Sequence, residues 1–370
     1  MAGRHGLMGV ALAAMLALAG PAAGEPREVR VFNWSDYIDE STLAAFTKET
    51  GIEVRYNVFD SNETLETRLL AGRTGFDVVV PSGNFLQRQI KAGVFRKLDK
   101  SKLPNLVNAW PFVTEKLAVY DPGNEYGVNY MWGTTGLGYN VDMVRERLGD
   151  EPVDSWSIVF DPEKLAKLKD CGVHMLDAPD ELIPAALTYL KLDPNSRDKA
   201  DFEKAEKLLA PLRPYIRKFH SSEYINALAN GDICLAVGWS GDVLQAKKRA
   251  AEAAEKTGRA PVQVAFAIPR EGTLMFFDNF AIPKDAKNID EAHAFIDFML
   301  RPEIAAKNSS AVSYANGNLA SQPLIEPRVR NDPAVYPPEE TLAKLFIITP
   351  WDAATQRVGT RLWTKFKTGR

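Results

Sequence analysis

Short apolar runs alternate with amphipathic segments in the N-terminal third of the chain. Residues 29–33 and 51–56 are predicted strands, and residues 40–50 and 65–71 are predicted helices. The run 76–80 is apolar and β-branched and stops at Pro81, which is typical of a parallel strand buried on both faces. The order strand, loop, helix, strand, helix, strand predicts an α/β unit.

A second unit follows a glycine-punctuated, extended segment, Gly127 to Asn140. Residues 156–236 have their own predicted helices and strands, so we expect residues 127–140 to cross between two lobes. Strand-like runs at 263–269 and 280–283 precede an amphipathic helix at 289–300, which predicts a return to the first lobe. Residues 246–259 are rich in Lys, Arg, Glu and Ala, which indicates a solvated helix face without an assigned function.

These patterns predict two α/β lobes built from a discontinuous chain. The first lobe is expected to comprise residues 27–136 and 261–313, and the second residues 137–260 and 314–370. Crossing segments are expected near residues 127–140, 263–269 and 312–323. Because the 370-residue chain is longer than one core usually organises, two domains are also the expectation from length.

The N-terminus has the pattern of a secretory signal peptide. Arg4 and His5 precede the uncharged apolar run 7–19, and the small residues 22–24 offer a cleavage position before Glu25. The run is too short for a membrane-spanning helix, which needs roughly 20 residues. We therefore expect residues 1–24 to be removed and the mature chain to be exported, the alternative being a buried N-terminal helix.

Charge and cysteine usage restrict the classes of partner and site. The net charge of −3 is slight and gives no indication of a nucleic-acid or membrane-surface partner. Cys171 and Cys234 form an even count in an exported chain, which favours a disulfide over two separate buried thiols. No further cysteine is present, and His174, His220 and His293 lack metal-ligand spacing, so no metal site is predicted.

Two motifs come close to enzyme signatures and fail. Residues 238–241 resemble a nucleophile elbow, but Gly241 follows Ser240 directly instead of one position later. The glycine-rich run 133–138 has the reverse of dinucleotide-binding spacing and no lysine of a phosphate loop, so we expect a turn or hinge there. The sequence therefore predicts no catalytic residue and no cofactor. The alternative from a different class of protein is an exported enzyme that acts on amines.

Aromatic residues stand beside acids in three segments that follow strand-like runs. The segments are residues 34–37, 239–242 and 276–278. Aromatic faces attract ammonium groups and enclose methylenes, while carboxylates pair the charge, so this combination suits a cation with an aliphatic body. For any one segment, a core aromatic beside a helix-capping aspartate is the alternative. Residues 33–37 and 81–84 directly follow predicted strands, where ligands bind in open α/β sheets.

The chain resembles the periplasmic polyamine-binding proteins of ABC transporters, especially their putrescine-binding branch. The resemblance extends from Val29 to at least Leu345. It is carried by residues 32–38, 76–82, 130–136, 224–234, 238–242, 276–278 and 312–316. It implies a two-lobed periplasmic solute-binding protein fold of type II, α/β in class, with a ligand cleft between the lobes and without a cofactor.

The resemblance also implies roles for individual residues. Cys171 and Cys234 match the disulfide pair of the family. Glu181 is assigned next to Asp242, although a one-residue gap would put Asp180 in its place. Asn84 and the tail 350–354 depart from the family pattern. The implied aromatic walls are Trp34, Tyr37, Trp239, Phe276 and Tyr314. One ammonium is expected to be held by Asp278, Ser35 and Asp36, and the other by Asp242 and Glu181. Ser82 is expected to line the cleft.

The function implied by the resemblance is capture of a polyamine in the periplasm and its delivery to an ABC transporter permease. Putrescine is the expected ligand, spermidine and cadaverine are further candidates, and the protein is expected to be a monomer. Two alternatives stay open: a spermidine-preferring or broad polyamine binder, and a sensory binding protein that docks to a receptor.

Overall fold

A computed structural model describes Gly3 and residues 27–369. The predicted signal peptide, residues 1–24, and the predicted mature start near Glu25 lie outside this description. Within the described part of the chain, no helix combines the length and apolarity needed to cross a membrane.

One mixed sheet of ten strands organises the described residues. The strands are β1 (Glu28–Trp34), β2 (Glu53–Phe59), β3 (Val78–Val79), β4 (Gly127–Asn140), β5 (Val173–Met175), β6 (Lys218–Phe219), β7 (Leu235–Trp239), β8 (Val264–Ala267), β9 (Met275–Ala281) and β10 (Ala315–Asn316).

Helices cover the faces of this sheet. They are α1 (Glu40–Thr50), α2 (Asn62–Ala71), α3 (Gly83–Lys91), α4 (Pro111–Leu117), α5 (Val141–Leu148), α6 (Ser157–Phe160), α7 (Pro162–Lys167), α8 (Pro179–Tyr189), α9 (Lys199–Leu209), α10 (Tyr224–Asn230), α11 (Ser240–Thr257), α12 (Ile289–Met299), α13 (Pro302–Val312), α14 (Pro327–Arg330), α15 (Glu339–Leu342) and α16 (Ala353–Thr368). Short 3₁₀ helices occupy Lys100–Lys102, Pro104–Asn108, Ala210–Tyr215 and Leu319–Leu324.

The strand order is β2-β1-β3-β9-β4-β7-β5-β6, with β8 and β10 each paired to β4. Strand β1 runs parallel to β2 and β3, and β5 runs parallel to β6 and β7. Between these parallel halves, β9 pairs antiparallel with β3 and β4, and β4 pairs antiparallel with β7. Each half is therefore a mainly parallel α/β unit, as the sequence predicts.

Strand β4 belongs to both halves of the sheet. Its residues 127–134 pair with β9, and its residues 135–139 pair with β7. The segment predicted to cross between lobes is thus one continuous strand. The glycine run 133–138, predicted as a turn or hinge, lies inside this strand, so the prediction of a turn is wrong. Glycine suits these positions in the strand, because a Cβ atom there would overlap side chains of neighbouring elements.

Two hydrophobic cores match the two halves of the sheet. We call the half with β1, β2, β3, β9, β10 and residues 127–134 the first lobe, and the half with β5, β6, β7, β8 and residues 135–140 the second lobe. The exact predicted boundaries stay a prediction. Residues from the predicted range 314–370 contribute to both cores: Tyr314 packs in the first, and Leu362 of α16 packs in the second.

The predicted disulfide between Cys171 and Cys234 is confirmed, with 5.5 Å between the Cα atoms. It joins the segment before β5 to the residue before β7, and these strands are neighbours in the second lobe. Closing a loop of 63 residues stabilises the fold by about 4 kcal/mol in the chain-entropy model.

Most predicted elements are present with shifted ends. Helix α1 spans 40–50 as predicted, and its N-cap Asp39 accepts a hydrogen bond from the backbone N of Ser41. Strand β3 is shorter than the predicted run 76–80, because it pairs with β9 only through Val79. Two of the three aromatic–acid segments are not loops: residues 276–278 lie within β9, and residues 240–242 begin α11.

Candidate functional site

A narrow cavity lies between the two lobes. It contains about 430 Å³ of space free of protein atoms. All the sequence-predicted site residues except Asp36 line it, together with three polar residues that the sequence reasoning missed. The lining residues are Trp34, Ser35, Tyr37, Asp60, Asn62, Ser82, Glu181, Ser221, Trp239, Asp242, Phe276, Asp278 and Tyr314.

Five aromatic rings form the walls of the cavity as a continuous series of contacts. Trp34 meets Trp239 at 5.5 Å between ring centroids, and Trp239 meets Phe276 at 6.3 Å. Phe276 meets Tyr314 at 6.2 Å, and Tyr314 meets Tyr37 at 4.8 Å. All four contacts are edge-to-face, the arrangement that aromatic quadrupoles favour. The rings therefore fix one another and present an apolar, electron-rich lining.

Two glycines allow this close packing of rings. A Cβ atom on Gly133 of β4 would lie 2.9 Å from Cζ of Phe276 and 3.0 Å from Cδ1 of Tyr314. A Cβ atom on Gly241 of α11 would overlap the Tyr314 ring. Both glycines stand where any side chain would push the aromatic wall aside.

A carboxylate of the first lobe, Asp278, lines the cavity. Asp278 on β9 is 3 % exposed. Tyr37 donates to its Oδ2 at 2.7 Å, and Ser82 donates to its Oδ1 at 2.6 Å. The Ser82 hydroxyl accepts in turn from the side-chain amide of Asn62 at 3.0 Å. Asp278 is thus held in place by groups of its own lobe.

A carboxylate of the second lobe, Asp242, lines the cavity as well. Asp242, in the first turn of α11, is 6 % exposed. Tyr224 donates to its Oδ2 at 2.7 Å, and Tyr314 donates to its Oδ1 at 2.7 Å. Because Tyr314 packs in the core of the first lobe, its bond to Asp242 joins the two lobes.

Glu181 lines the cavity from α8, whereas its neighbour Asp180 does not. The Glu181 carboxylate accepts from the Thr135 hydroxyl and from the indole nitrogen of Trp239, the latter at 3.1 Å. Asp180 instead accepts from the side-chain amide of Asn84 at 2.8 Å. Asn84 belongs to α3 of the first lobe, so this residue, which departs from the family pattern, makes a second contact between the lobes.

Burial shifts the ionisation of these acids. It raises the pKa of Asp278 to about 6 and that of Asp242 to about 7, although the hydroxyl donors act in the opposite direction. Burial, with the nearby charge of Asp180, raises the pKa of Glu181 to about 8. Negative charge at these buried positions is therefore costly.

The cavity lining contains acids without a matching base. Asp60, Glu181, Asp242 and Asp278 are among its residues, and no Lys, Arg or His is. Within the described ranges, no cluster of three or more His, Cys, Asp or Glu side chains is arranged to hold a metal ion. An apolar, aromatic passage between carboxylates fits an elongated organic cation.

Asp36 lies outside the cavity, contrary to the expectation that it holds an ammonium. Its Oδ1 accepts from Nη2 of Arg249 at 2.5 Å, and its backbone oxygen accepts from Gln245 at 3.1 Å. Arg249 and Gln245 belong to α11 of the second lobe. Asp36 therefore contacts the opposite lobe, and its charge is already paired.

Four residues of the site escaped sequence reasoning. Asp60 follows β2, Asn62 begins α2, and Ser221 follows β6, so the placement of ligands beyond strand ends was the signal that could have found them. Tyr224 lies behind Asp242 and does not line the cavity. Tyr224 begins the segment 224–234 that carries the family resemblance, but the sequence gives it no role, because its contact is with a residue 18 positions later.

Comparisons with known proteins agree on the type of protein that this chain resembles. The family model of bacterial extracellular solute-binding proteins matches residues 41–337. The chain is 52 % identical over 361 residues to the putrescine-binding periplasmic protein SpuD of Pseudomonas aeruginosa, covering 96 % of this chain and 97 % of that one.

Two further comparisons extend this result. The putrescine-binding periplasmic protein PotF of Escherichia coli is 53 % identical over 367 residues, covering 98 % of each chain. A solved structure, a putative spermidine/putrescine ABC transporter protein from Listeria monocytogenes, superposes with a TM-score of 0.80 at 33 % identity. That alignment covers 93 % of this chain and 100 % of the other.

Proposed function

The chain belongs to the bacterial extracellular solute-binding proteins, and we propose that it captures putrescine between its lobes and delivers it to an ABC transporter permease. It acts as a monomeric binding protein without a catalytic reaction. Two of its relatives carry the name putrescine-binding periplasmic protein, which supports this assignment.

The observation that carries the proposal is the cavity with a buried carboxylate on each lobe and aromatic rings between. Asp278 supplies one charge and Asp242, with Glu181, supplies the other. A diamine places one ammonium at each end and its methylenes against the rings. Burying four methylenes contributes roughly 3 kcal/mol, and ammonium groups with pKa values near roughly 10 stay charged at neutral pH.

Pairing of opposite charges offsets the free-energy cost of removing the ammonium groups and the carboxylates from water. A buried carboxylate alone is unfavourable, as the raised pKa values of Asp242 and Asp278 indicate. An ammonium beside each of them offsets that cost, because opposite charges in a poorly solvated site attract strongly. The diamine and the cavity therefore stabilise each other in their charged forms.

Closure follows from the position of the site between the lobes. A diamine that contacts Asp278 on one lobe and Asp242 on the other stabilises the closed arrangement more than the open one. The permease then recognises the closed shape. Capture takes place in the periplasm, after export directed by residues 1–24 and removal of that segment.

A spermidine-preferring or broad polyamine binder is the second candidate. The observation that favours it is Asp60, an additional acid in the cavity lining that a third amine would pair with. A sensory protein that docks to a receptor would use the same cavity and the same closure. Loss of putrescine uptake on deletion of the gene supports transport, whereas intact uptake with lost chemotaxis or signalling supports sensing.

Thermal-shift screening against putrescine, cadaverine, spermidine, amino acids and sugars tests the proposal. Putrescine is expected to raise the unfolding temperature most, since a ligand that binds only the folded state stabilises it by mass action. As a control, the variant Asp150→Asn should show the same shift with putrescine as the parent protein, because Asp150 is a surface acid whose side chain is 95 % exposed. A shift with amino acids or sugars and none with any amine would contradict the proposal.

A further inference from the structure

One buried side chain outside the cavity contacts two parts of the binding site at once. Tyr224 on α10 is 0 % exposed. Its hydroxyl accepts a hydrogen bond from the backbone N of Trp239 at 3.0 Å and donates one to Oδ2 of Asp242 at 2.7 Å. A single hydroxyl thus connects an aromatic wall of the cavity to the carboxylate beside it.

The direction of these bonds is fixed by chemistry. A tyrosine hydroxyl has one proton, and the N–H of Trp239 can only donate, so the proton of Tyr224 must point at Asp242. The same logic holds on the other oxygen. The Tyr314 hydroxyl accepts from the backbone N of Asp242 at 3.2 Å and donates to Oδ1 at 2.7 Å. Both carboxylate oxygens therefore face donors, an environment that suits the ionised form.

The two donors differ in origin. Tyr224, Trp239 and Asp242 all belong to the second lobe, so the bond from Tyr224 does not depend on closure. Tyr314 packs in the core of the first lobe, so its bond to Asp242 crosses between the lobes. Tyr224 is the side-chain donor that Asp242 has within its own lobe.

Resting on the proposed function, we infer that Tyr224 is a positioning residue: its hydroxyl orients the Asp242 carboxylate toward the ammonium and favours its charged form. Tyr224 does not touch the ligand. It acts through Asp242. The same hydroxyl accepts from the backbone N of Trp239, and this bond holds the Trp239 ring of the aromatic wall next to the carboxylate.

The ionisable surroundings of Asp242 agree with this role. Burial raises the pKa of Asp242, the hydroxyls of Tyr224 and Tyr314 lower it, nearby Asp36 raises it, and Arg249 lowers it. Removing the Tyr224 hydroxyl takes away a contribution that favours the carboxylate. Protonation of Asp242 then competes with ammonium binding at a higher pH than in the parent protein.

Tyr224→Phe is the direct test, because it removes the hydroxyl and keeps the ring. Calorimetric titration with putrescine at pH 7 is expected to show about a tenfold loss of affinity. At pH 8.5 the loss is expected to shrink below about threefold, because Asp242 is then ionised in the variant as well. Tyr139→Phe is the matched control, since Tyr139 is a half-buried tyrosine of the second lobe outside the cavity lining, and it leaves affinity unchanged.

A double-mutant cycle separates positioning from general damage. Adding Tyr224→Phe to Asp242→Asn is expected to cause a much smaller loss than in the parent background, because the hydroxyl acts mainly through the carboxylate and otherwise only through its bond from the backbone N of Trp239. Parental affinity in Tyr224→Phe, an equal loss at both pH values, or a full additional loss in the Asp242→Asn background would each overturn the inference. If the parent protein and Tyr139→Phe both fail to bind putrescine, the proposed function itself is wrong.

Discussion

At the scale of single residues, hydroxyl groups surround the two buried carboxylates Asp278 and Asp242. Asp278 accepts from Tyr37 and Ser82, and Asp242 accepts from Tyr224 and Tyr314. Hydrogen bonds to a charged group contribute more than neutral ones, and here they partly offset the cost of burying the acids. The carboxylates are thereby held for an ammonium.

Removing either charge should weaken diamine binding strongly. Asp278→Asn and Asp242→Asn are each expected to cost roughly 2–5 kcal/mol of binding free energy, because one buried ammonium loses its counter-charge. The fold should persist, since asparagine has nearly the same shape as aspartate. Calorimetry on each variant measures the loss, with Asp150→Asn at the surface as the control. Parental affinity in both variants would show that the two carboxylates do not hold the ligand.

Binding should also depend on pH. The pKa values of Asp278, Asp242 and Glu181 are raised to about 6, 7 and 8 in the closed cavity, with burial as the main cause. Groups with raised pKa values hold protons below those values, and an ammonium can bind only when the protons leave. Affinity for putrescine should therefore fall as the pH decreases from about 8 to 5, while the ligand stays doubly charged.

Calorimetry in buffers of different ionisation enthalpy counts the protons released on binding. Release near pH 7 is expected, and the release should diminish in Asp242→Asn. A constant affinity across this pH range, without proton release, would exclude protonated acids in the free site.

The sequence predicted most of the site residues but not their surroundings. The aromatic and acidic segments were visible as local patterns, and the family resemblance extended them to Glu181 and Tyr314. Asp36 was misplaced because residues next to each other in a turn point in different directions, and sequence does not show which one faces the cavity. Asp60 and Ser221 carry no aromatic neighbour that would have marked them.

At the scale of secondary-structure elements, strand ends and helix starts bring the aromatic residues together. Trp34 ends β1 and Trp239 ends β7, while Phe276 lies near the start of the antiparallel β9. The strands themselves were predictable from apolar runs. The placement of residues 276–278 inside β9 was not, because the pairing of β9 with β4 is a long-range contact that local patterns do not contain.

The glycine at the start of α11 offers a test of the aromatic wall. Gly241→Ala should reduce affinity for putrescine about tenfold, because the added methyl group would overlap the Tyr314 ring and displace it. Titration calorimetry together with thermal unfolding measures both consequences. The control is Gly149→Ala, at a glycine with φ +70° and no atom within 4 Å of the added methyl.

The control should lose stability, by about 1 kcal/mol, without a change in affinity, since its strain lies in the backbone far from the rings. Unaltered binding by Gly241→Ala would show that the wall tolerates displacement and that close packing there is not required.

At the scale of the whole molecule, contacts between lobes surround the ligand cavity. The Tyr314 hydroxyl bonds Asp242 in the cavity lining, Asn84 bonds Asp180, and Arg249 pairs with Asp36. The sequence predicted two lobes with a cleft because each lobe repeats its own α/β pattern. It could not predict these contacts, because they depend on the relative position of two separately folded units.

The same arrangement predicts a preference for chain length. Two carboxylates fixed on opposite lobes set the separation of the ammonium groups, so a longer amine must bend or hold the lobes apart. A third amine would have to reach Asp60, or stay without a counter-charge at a desolvation cost. Cadaverine should therefore bind less tightly than putrescine, and spermidine less tightly still.

Competition calorimetry with putrescine and spermidine, at one pH and one ionic strength, tests the central claim most directly. The account predicts that one putrescine binds per chain and that its affinity exceeds that of spermidine by about tenfold, or roughly 1.4 kcal/mol. Spermidine binding about tenfold more tightly than putrescine, or no binding of either amine, would contradict it.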